Sequence, residues 1–365
     1  MTTLFIIPSL SRLWGGTTVA VLNSFYALRA QEVDIRLWSA RRDGDEIAPE
    51  VLADPDIRFF DSHTSWRYSS GLKKALEQEA KCFDIIHIHG MWLYPHFIAA
   101  KVAARQGVPY IISPHGMIEA DALARKGLKK RIYWELIEKH NFQNATTIHA
   151  ITENEKNQIS KLVPAKPCFV LPNGIETLEA NPKSLFPDNP TILFVGRIHP
   201  KKALDRLIEA LMDIPNTRLI VAGDGDEAYK KEILALVDRL GISKRVEFLG
   251  FVGKMAKVEL YAKASFLAVP SHSEVLSLVA LEAISHGLPV LISRACHFDD
   301  IGQNGAGVVM KDNEPSSIAD GIRRMLSSDL YGMSKSAFRL SQKYSLDTVS
   351  SRLLLEYEKI LQANK

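Results

Sequence analysis

Short apolar runs rich in β-branched residues alternate with longer stretches of helical period along this chain. In the first half, residues 4–8, 33–38, Ile85–His89, Tyr110–Ser113 and 146–151 have the length and composition of strands. Residues 17–30, 71–82, 95–105 and 128–141 carry apolar positions at helical spacing between them. The strands are apolar almost throughout, as expected where both faces of a sheet are covered. This βαβα rhythm predicts a parallel sheet with helices on both sides. Residues 177–190, rich in proline, asparagine and charge, have no period and read as a linker.

The rhythm then restarts. Thr191–Val195, 217–222, 246–249, Phe266–Val269 and 289–292 read as strands, and 204–212, 227–240, 254–264, 276–286 and Pro315–Leu326 as helices. The last segment, 347–362, is amphipathic, with Val349, Leu353, Leu354, Tyr357 and Leu361 on its apolar side. The whole predicts an α/β protein of two doubly wound, Rossmann-like domains, residues 1–175 and 190–346, facing each other across a cleft. Ligands of such sheets bind beyond the carboxyl ends of the strands.

Composition narrows this little further. The chain has 365 residues, long enough for two cores, and its 46% hydrophobic and 24% charged content is ordinary for a soluble globular protein. A formal net charge of +3 does not argue for nucleic acid as a partner. Cys82, Cys168 and Cys296 are scattered without a CxxC pair, so no disulfide framework or zinc site is expected, and free thiols fit a reducing cytosol. The N-terminus lacks the basic region of a signal peptide, and no apolar run approaches the length of a membrane span. A cytoplasmic location follows as the expectation.

The chemistry concentrates at strand ends. Glu274 and Glu282 stand eight positions apart, the first in a loop after residues 265–270 and the second within the next helix. Two carboxylates around a helix N-terminus could hold a sugar hydroxyl, a ribose diol and a phosphate together. Gly196, Arg197 and Lys202 lie between a strand and a helix, where two cations can neutralise a diphosphate, unless the loop is merely solvated. Gly15 and Gly16 precede a helix and would let a ligand approach the backbone, or simply make a tight turn. His115, between Pro114 and Gly116 at a strand's end, could hydrogen-bond a substrate hydroxyl or be a polar loop residue.

Other clusters favour plainer readings. His87 and His89 share one strand face without a third metal ligand nearby, so they read as strand-end polar residues lining the cleft. Asp224 and Asp226 could hold a divalent metal with its diphosphate, but the flanking glycines read as a turn. Gly223-x-Gly225 lacks the third glycine of a dinucleotide fingerprint, which disfavours a dehydrogenase. Lys126, Lys129, Lys130 and Arg131 lead into Tyr133 and Trp134, so this segment could rest on an anionic membrane or be a solvated helix face.

Five ordered features together resemble the retaining glycosyltransferases of family four, which have the two-domain GT-B fold. They are Gly15-Gly16, Ser-Pro-His115-Gly-Met, Leu-Pro-Asn173-Gly-Ile, Gly196-Arg197 with Lys202, and Glu274-x7-Glu282-Ala. The resemblance implies an N-terminal acceptor-side domain, a C-terminal donor domain, and a helix 347–365 that packs back on the first. Arg197 and Lys202 would bind the donor's diphosphate with the amides near Leu278 and Val279. Glu282 would accept from the ribose, Glu274 would contact the sugar and His115 would sit beside it. Asn173 and Gly196 would belong to the donor site, as would Gly15 and Gly16, which also shape the acceptor side.

The resemblance further implies a nucleotide-sugar donor and a glycan or lipid-linked acceptor, in the building of surface polysaccharide, lipopolysaccharide or capsule at the inner face of the membrane. No cofactor or metal would be needed, and the leaving phosphate would help to take the acceptor's proton. The family's Gly-Phe-Gly after the first glutamate is replaced by Val275-Leu276-Ser277, and a glycine after the lysine by Ala203. Two other functions fit the same architecture: a nucleotide-sugar 2-epimerase, and a non-catalytic nucleotide-sugar or glycan-binding module.

Overall fold

The computed structural model describes residues 1–118, 127–177, 186–187 and 189–363. It divides into two units, Met1–Gly174 together with the C-terminal helix Leu346–Ala363, and Ile175–Ser345. The first is built on strands β1 Thr2–Ile7, β2 Asp34–Arg41, β3 Ile57–Asp61, β4 Ile85–His89, β5 Tyr110–Ser113, β6 Thr147–Ala150 and β7 Cys168–Val170. They form one sheet in the order β3-β2-β1-β4-β5-β6-β7, and every neighbouring pair is parallel. Its helices of six residues or more are α1 Gly16–Ala30, α2 Ser70–Glu79, α3 Tyr94–Gln106, α4 Gly127–Tyr133, α5 Lys139–Asn144, α6 Glu153–Leu162 and the C-terminal helix.

Successive side chains of β1 leave on opposite faces. Phe5 and Ile7 pack with Phe25 of α1 and with Val349, Leu353 and Tyr357 of the C-terminal helix. Leu4 and Ile6 pack with Leu72 and Leu76 of α2 and Ile98 and Val102 of α3. Both faces are dry, which is why the strand reads as a continuous apolar run.

The second unit repeats the plan with β8 Thr191–Val195, β9 Arg218–Ala222, β10 Val246–Gly250, β11 Phe266–Val269, β12 Val290–Ser293 and β13 Gly307–Met310, ordered β10-β9-β8-β11-β12-β13. Between the strands run α7 Leu204–Ala210, α8 Glu227–Arg239, α9 Lys254–Lys263 and α10 Leu278–Ser285, and α11 Pro315–Leu326 and α12 Leu330–Ser341 follow β13. In each sheet the strand order reverses beside the first strand, between β1 and β4 and between β8 and β11. Each reversal opens a crevice at the carboxyl ends, because the two flanking connections leave on opposite faces.

The elements expected from the pattern of apolar positions do not include β3, β7, β13, α6 or α12. All three strands are edges. An edge strand has one neighbour and more contact with water: β3 mixes buried and exposed positions and β7 has three residues, all half-buried, while β13 is buried at three of its four positions but is short and opens on Gly307. Helix α6 buries only Glu155 and Ile159, and α12 buries Ser334, Ala337, Leu340 and Ser341. Helix α6 presents no full apolar stripe, whereas α12 does, with Leu330, Met333, Ala337 and Leu340 at helical spacing on the core side, a signal that the pattern reading missed. The helix expected over 128–141 is interrupted by a π-helical turn, Trp134–Glu138, between α4 and α5.

Candidate active site

In the second unit, the loops after β8 and β11 flank the strand-order reversal. After β8, the Gly196 N–H donates to the carbonyl of Ala222 (3.0 Å). His199 then accepts the Lys201 N–H on its Nδ1 (3.0 Å), starting the 3-10 turn Pro200–Lys202. Ala203 follows in the left-handed region at φ 52 and is fully buried. Glycine would relieve strain of about 1–2 kcal/mol there, at the loss of a packed methyl group. The turn brings the Lys202 ammonium onto Glu274 Oε1. Glu274 is fixed from the other side, where its N–H donates to the Ala295 carbonyl (3.2 Å). Arg197 is exposed and has no ion-pair partner among the described residues.

Helix α10 begins one turn beyond Glu274. The hydroxyl of Ser277 caps it by accepting the Ala280 N–H (3.3 Å), so the helix starts at Leu278 and not at residue 276. The cap uses the third amide of the helix and leaves those of Leu278 and Val279 for a ligand. Glu282 Oε2 accepts from Lys257 Nζ (2.7 Å) and from the Tyr261 hydroxyl (2.8 Å). Burial, with the Glu282 charge second, raises the Tyr261 phenol well above its usual pKa, so it remains a donor. Oε1 of Glu282 has no hydrogen bond among the described residues.

The Asp224–Asp226 stretch is a turn. A Cβ on Gly223 would lie 1.9 Å from the carbonyl oxygen of Gly196, and one on Gly225 would lie 2.1 Å from that of Ile198. The glycines let the loops after β8 and β9 touch backbone to backbone. Asp226 caps α8 through the Tyr229 N–H (2.9 Å), and Asp224 pairs with Lys230 (2.9 Å). Among the described residues, no group of three or more His, Cys, Asp or Glu is placed to hold a metal ion.

In the first unit, Gly15 takes φ 68 as the N-cap of α1, and Gly16 is that helix's first residue. Asn173 is half-buried. Its neighbour Gly174 lets the C-terminal helix close in, since a Cβ there would meet Leu346 Cδ2 at 2.9 Å. His115 follows β5 at φ 51. The turn is clamped by Glu155 of α6, whose two oxygens accept the N–H groups of Gly116 (2.6 Å) and Ile151 (2.7 Å). His115 Nε2 lies 3.1 Å from His89 Nδ1. Burial, aided by His149 and His96, pushes the His115 pKa down to about 3, so the ring is neutral.

His87 and His89 do not line an open face, as their strand positions had suggested. They are 0% and 3% exposed, because Tyr357 of the C-terminal helix reaches His87 Nδ1 (2.6 Å) and the Phe5 ring covers His89. Of the basic cluster, Lys126 lies outside the described residues; Lys129 and Arg131 are exposed, and Lys130 sits over the Trp92 ring (5.2 Å).

The structure therefore joins Lys202 to Glu274 directly and sets Glu282 on the following helix. His115, Asn173, Gly15 and Gly16 belong to the first unit. Sequence reading missed Lys257 and Tyr261, whose i,i+4 spacing on α9 was the available signal. It also missed Glu155, whose signal was the capping pattern Thr152-x-x-Glu155 at the start of α6, and His149, which carries no local signal. Glu138 is another: its buried carboxyl accepts the Trp92 N–H (2.6 Å), and burial raises its pKa to about 7.

Two parallel α/β units of this topology, with charged loops at the strand-order reversal, define a protein of the GT-B class. Residues 15–174 match the profile of the glycosyl transferase 4-like domain, and residues 176–343 that of the glycosyl transferases group 1. The D-inositol 3-phosphate glycosyltransferase of Mycobacterium sp. (strain KMS) is 29% identical over 337 residues, covering 84% of this chain and 74% of the relative. Anabaena HepE in complex with UDP superposes with a TM-score of 0.79 at 18% identity, over 98% of this chain and 100% of that one. Sucrose-phosphate synthase of Thermosynechococcus elongatus gives 0.78 at 19% identity, with both chains covered in full, 100% each. The chain belongs to the family-four type of glycosyltransferases.

Proposed function

We propose that the protein moves a sugar from a nucleoside-diphosphate sugar to a hydroxyl of a glycan or lipid-linked glycan, with retention at the anomeric carbon, in the building of surface polysaccharide. The observation that carries this is the Lys202–Glu274 pair at the reversal of the second sheet, beside the open amides of α10. A cation and a sugar-accepting carboxylate held in contact suit a ligand whose anionic and hydroxyl-bearing parts are adjacent. UDP in the HepE structure supports a uridine donor.

In this mechanism the diphosphate meets Arg197, Lys202 and the amides of Leu278 and Val279. Glu274 accepts from sugar hydroxyls, and Oε1 of Glu282 accepts from the ribose. His115 meets the sugar, with Gly196, Asn173, Gly15 and Gly16 shaping the walls. The bond from the anomeric carbon to phosphate oxygen breaks as the acceptor oxygen bonds on the same face. The acceptor's proton passes to the departing phosphate. The cations and helix amides stabilise charge that grows on that phosphate. No metal is assigned to the step, because Asp224 and Asp226 serve the turn and the α8 cap.

Calorimetry with UDP tests the donor site. Glu282→Ala removes a charged acceptor and should weaken UDP by about tenfold to a hundredfold. Unchanged affinity would remove the ribose role. The anomeric coupling constant of the product, read by NMR, tests retention. An epimer formed from the donor alone would instead favour the 2-epimerase reading, and binding without turnover the non-catalytic one.

The acceptor's membrane context is supported by an exposed stripe. Leu128, Ile132 and Leu136 are 74%, 51% and 70% exposed at four-residue spacing, beside Lys129 and Arg131. Apolar residues flanked by cations suit peripheral contact with an anionic leaflet, the inner face of the cell membrane. Changing all three to serine should reduce pelleting with phosphatidylglycerol vesicles by about tenfold or more, since each buried side chain contributes roughly 1.5–3 kcal/mol. Pelleting at the wild-type level would remove this contact.

A further inference from the structure

Five histidines gather at the carboxyl end of the first sheet, and their partners fix the protons on three of them. His96 accepts the Leu93 N–H on Nδ1 (3.3 Å), so its Nε2 carries the proton and donates to the His89 carbonyl (3.0 Å). His149 donates from Nε2 to the Leu171 carbonyl (2.8 Å). The Ser113 hydroxyl donates to the His149 carbonyl (3.3 Å), so it accepts from His87 Nε2 (3.0 Å). His87 Nδ1 then accepts from the Tyr357 hydroxyl (2.6 Å).

Among the described residues, the remaining two rings bond only to each other. One proton lies between His89 Nδ1 and His115 Nε2, 3.1 Å apart. His89 is packed against the rings of Phe5 (4.4 Å) and His87 (4.1 Å). Its Nε2 is buried with no hydrogen-bond partner among the described residues. If His115 donated, His89 would carry its own proton on that Nε2, as an orphaned buried N–H. If His89 donates, only a lone pair is orphaned there, and under-satisfied acceptors are better tolerated than orphaned donors. His115 is then protonated on Nδ1, which makes no hydrogen bond among the described residues. Of the five rings it is the only one not fully buried.

We propose that His89 is a positioning residue that fixes His115 as its Nδ1–H tautomer, so that His115 meets the sugar as a hydrogen-bond donor and not as a base. This rests on the sugar-site role of His115 given above. The inference also explains why a polar ring occupies a dry place on β4: its function is exerted through the ring beyond it.

The tautomer is read directly from two-bond 15N–1H spectra of histidine-labelled protein, with His115 assigned by its loss in His115→Ala. Wild type should show His115 protonated on Nδ1. His89→Asn, whose amide N–H stands near the original Nδ1, should preserve that state. His89→Leu should convert it to Nε2–H or a mixture. With UDP-glucose as the donor probe, His89→Leu should lower kcat by about tenfold to a hundredfold with KM within about twofold, and His89→Asn should recover most of it. A wild-type His115 protonated on Nε2 overturns the inference without any variant, as does a His89→Leu protein that keeps the Nδ1–H form and full turnover. Full turnover in His115→Ala, with the tautomer as expected, instead removes the sugar-site role on which the inference rests.

Discussion

Lys202→Ala will lower kcat by about a hundredfold to a thousandfold, the usual cost of one preorganised group aimed at developing charge. The ammonium is held before any donor arrives: the turn Pro200–Lys202 sets its direction and Glu274 is its counterion. A diphosphate that enters meets a cation already in place, with little reorganisation left for the reaction step. Lys202→Arg should recover only part of the loss, because a planar fork does not reproduce the point contact to one carboxylate oxygen. Arg197→Ala should act on the same step. Arg197 is exposed and unpaired among the described residues, so its removal leaves no stranded charge and the fold should be unaffected. Steady-state turnover, with melting curves as a control, checks both. Near-wild-type kcat in Lys202→Ala with intact folding would sink the leaving-group mechanism.

Gly223→Ala will destabilise the second unit by about 3–5 kcal/mol, lowering its Tm by roughly 8–16 °C, through backbone strain and overpacking. The new Cβ would lie 1.9 Å from the carbonyl oxygen of Gly196, at a backbone φ of 149. Neither partner can step back cheaply. Gly196 donates to the Ala222 carbonyl (3.0 Å), and Gly223 donates to that of Gly250 (2.7 Å). The control is Gly241→Ala, at φ 68 with no atom within 4 Å of its Cβ. Only left-handed strain opposes it, about 1–2 kcal/mol. Equal losses for the two variants, by calorimetry, would show that backbone contact between the loops after β8 and β9 is not what the glycine serves. The same contact shapes the loop carrying Arg197 and Lys202, so a surviving Gly223→Ala protein should also bind UDP less tightly.

The central strands were legible because both of their faces are dry: β1, β4, β5, β8 and β11 read as apolar runs bounded by polar loops. The edge strands β3 and β7 were not, because a strand with one neighbour keeps part of itself in water, and β13, though largely buried, is only four residues long and opens on a glycine. Arg197 and His115 could be singled out beside glycine or proline at strand ends, Lys202 by sharing the Arg197 loop and Glu274 by its spacing to Glu282. Ser277 shows the limit of the local signal: the residue that departs from the family's glycine turns out to cap α10.

The sequence by itself determined the two-sheet plan and the residue types available at the strand ends, since periodicity and turn chemistry act over a few neighbours. Only the tertiary structure decided which of those residues meet. Lys202 touches a glutamate 72 positions away, and His87 a tyrosine 270 positions away. Such contacts follow from strand order, and strand order is set by how helices close over whole sheets. The same holds for His89. Nothing near it in the chain states whether it donates or accepts. That is decided by a buried nitrogen with no partner among the described residues, which exists only once Phe5 and His87 have packed around it.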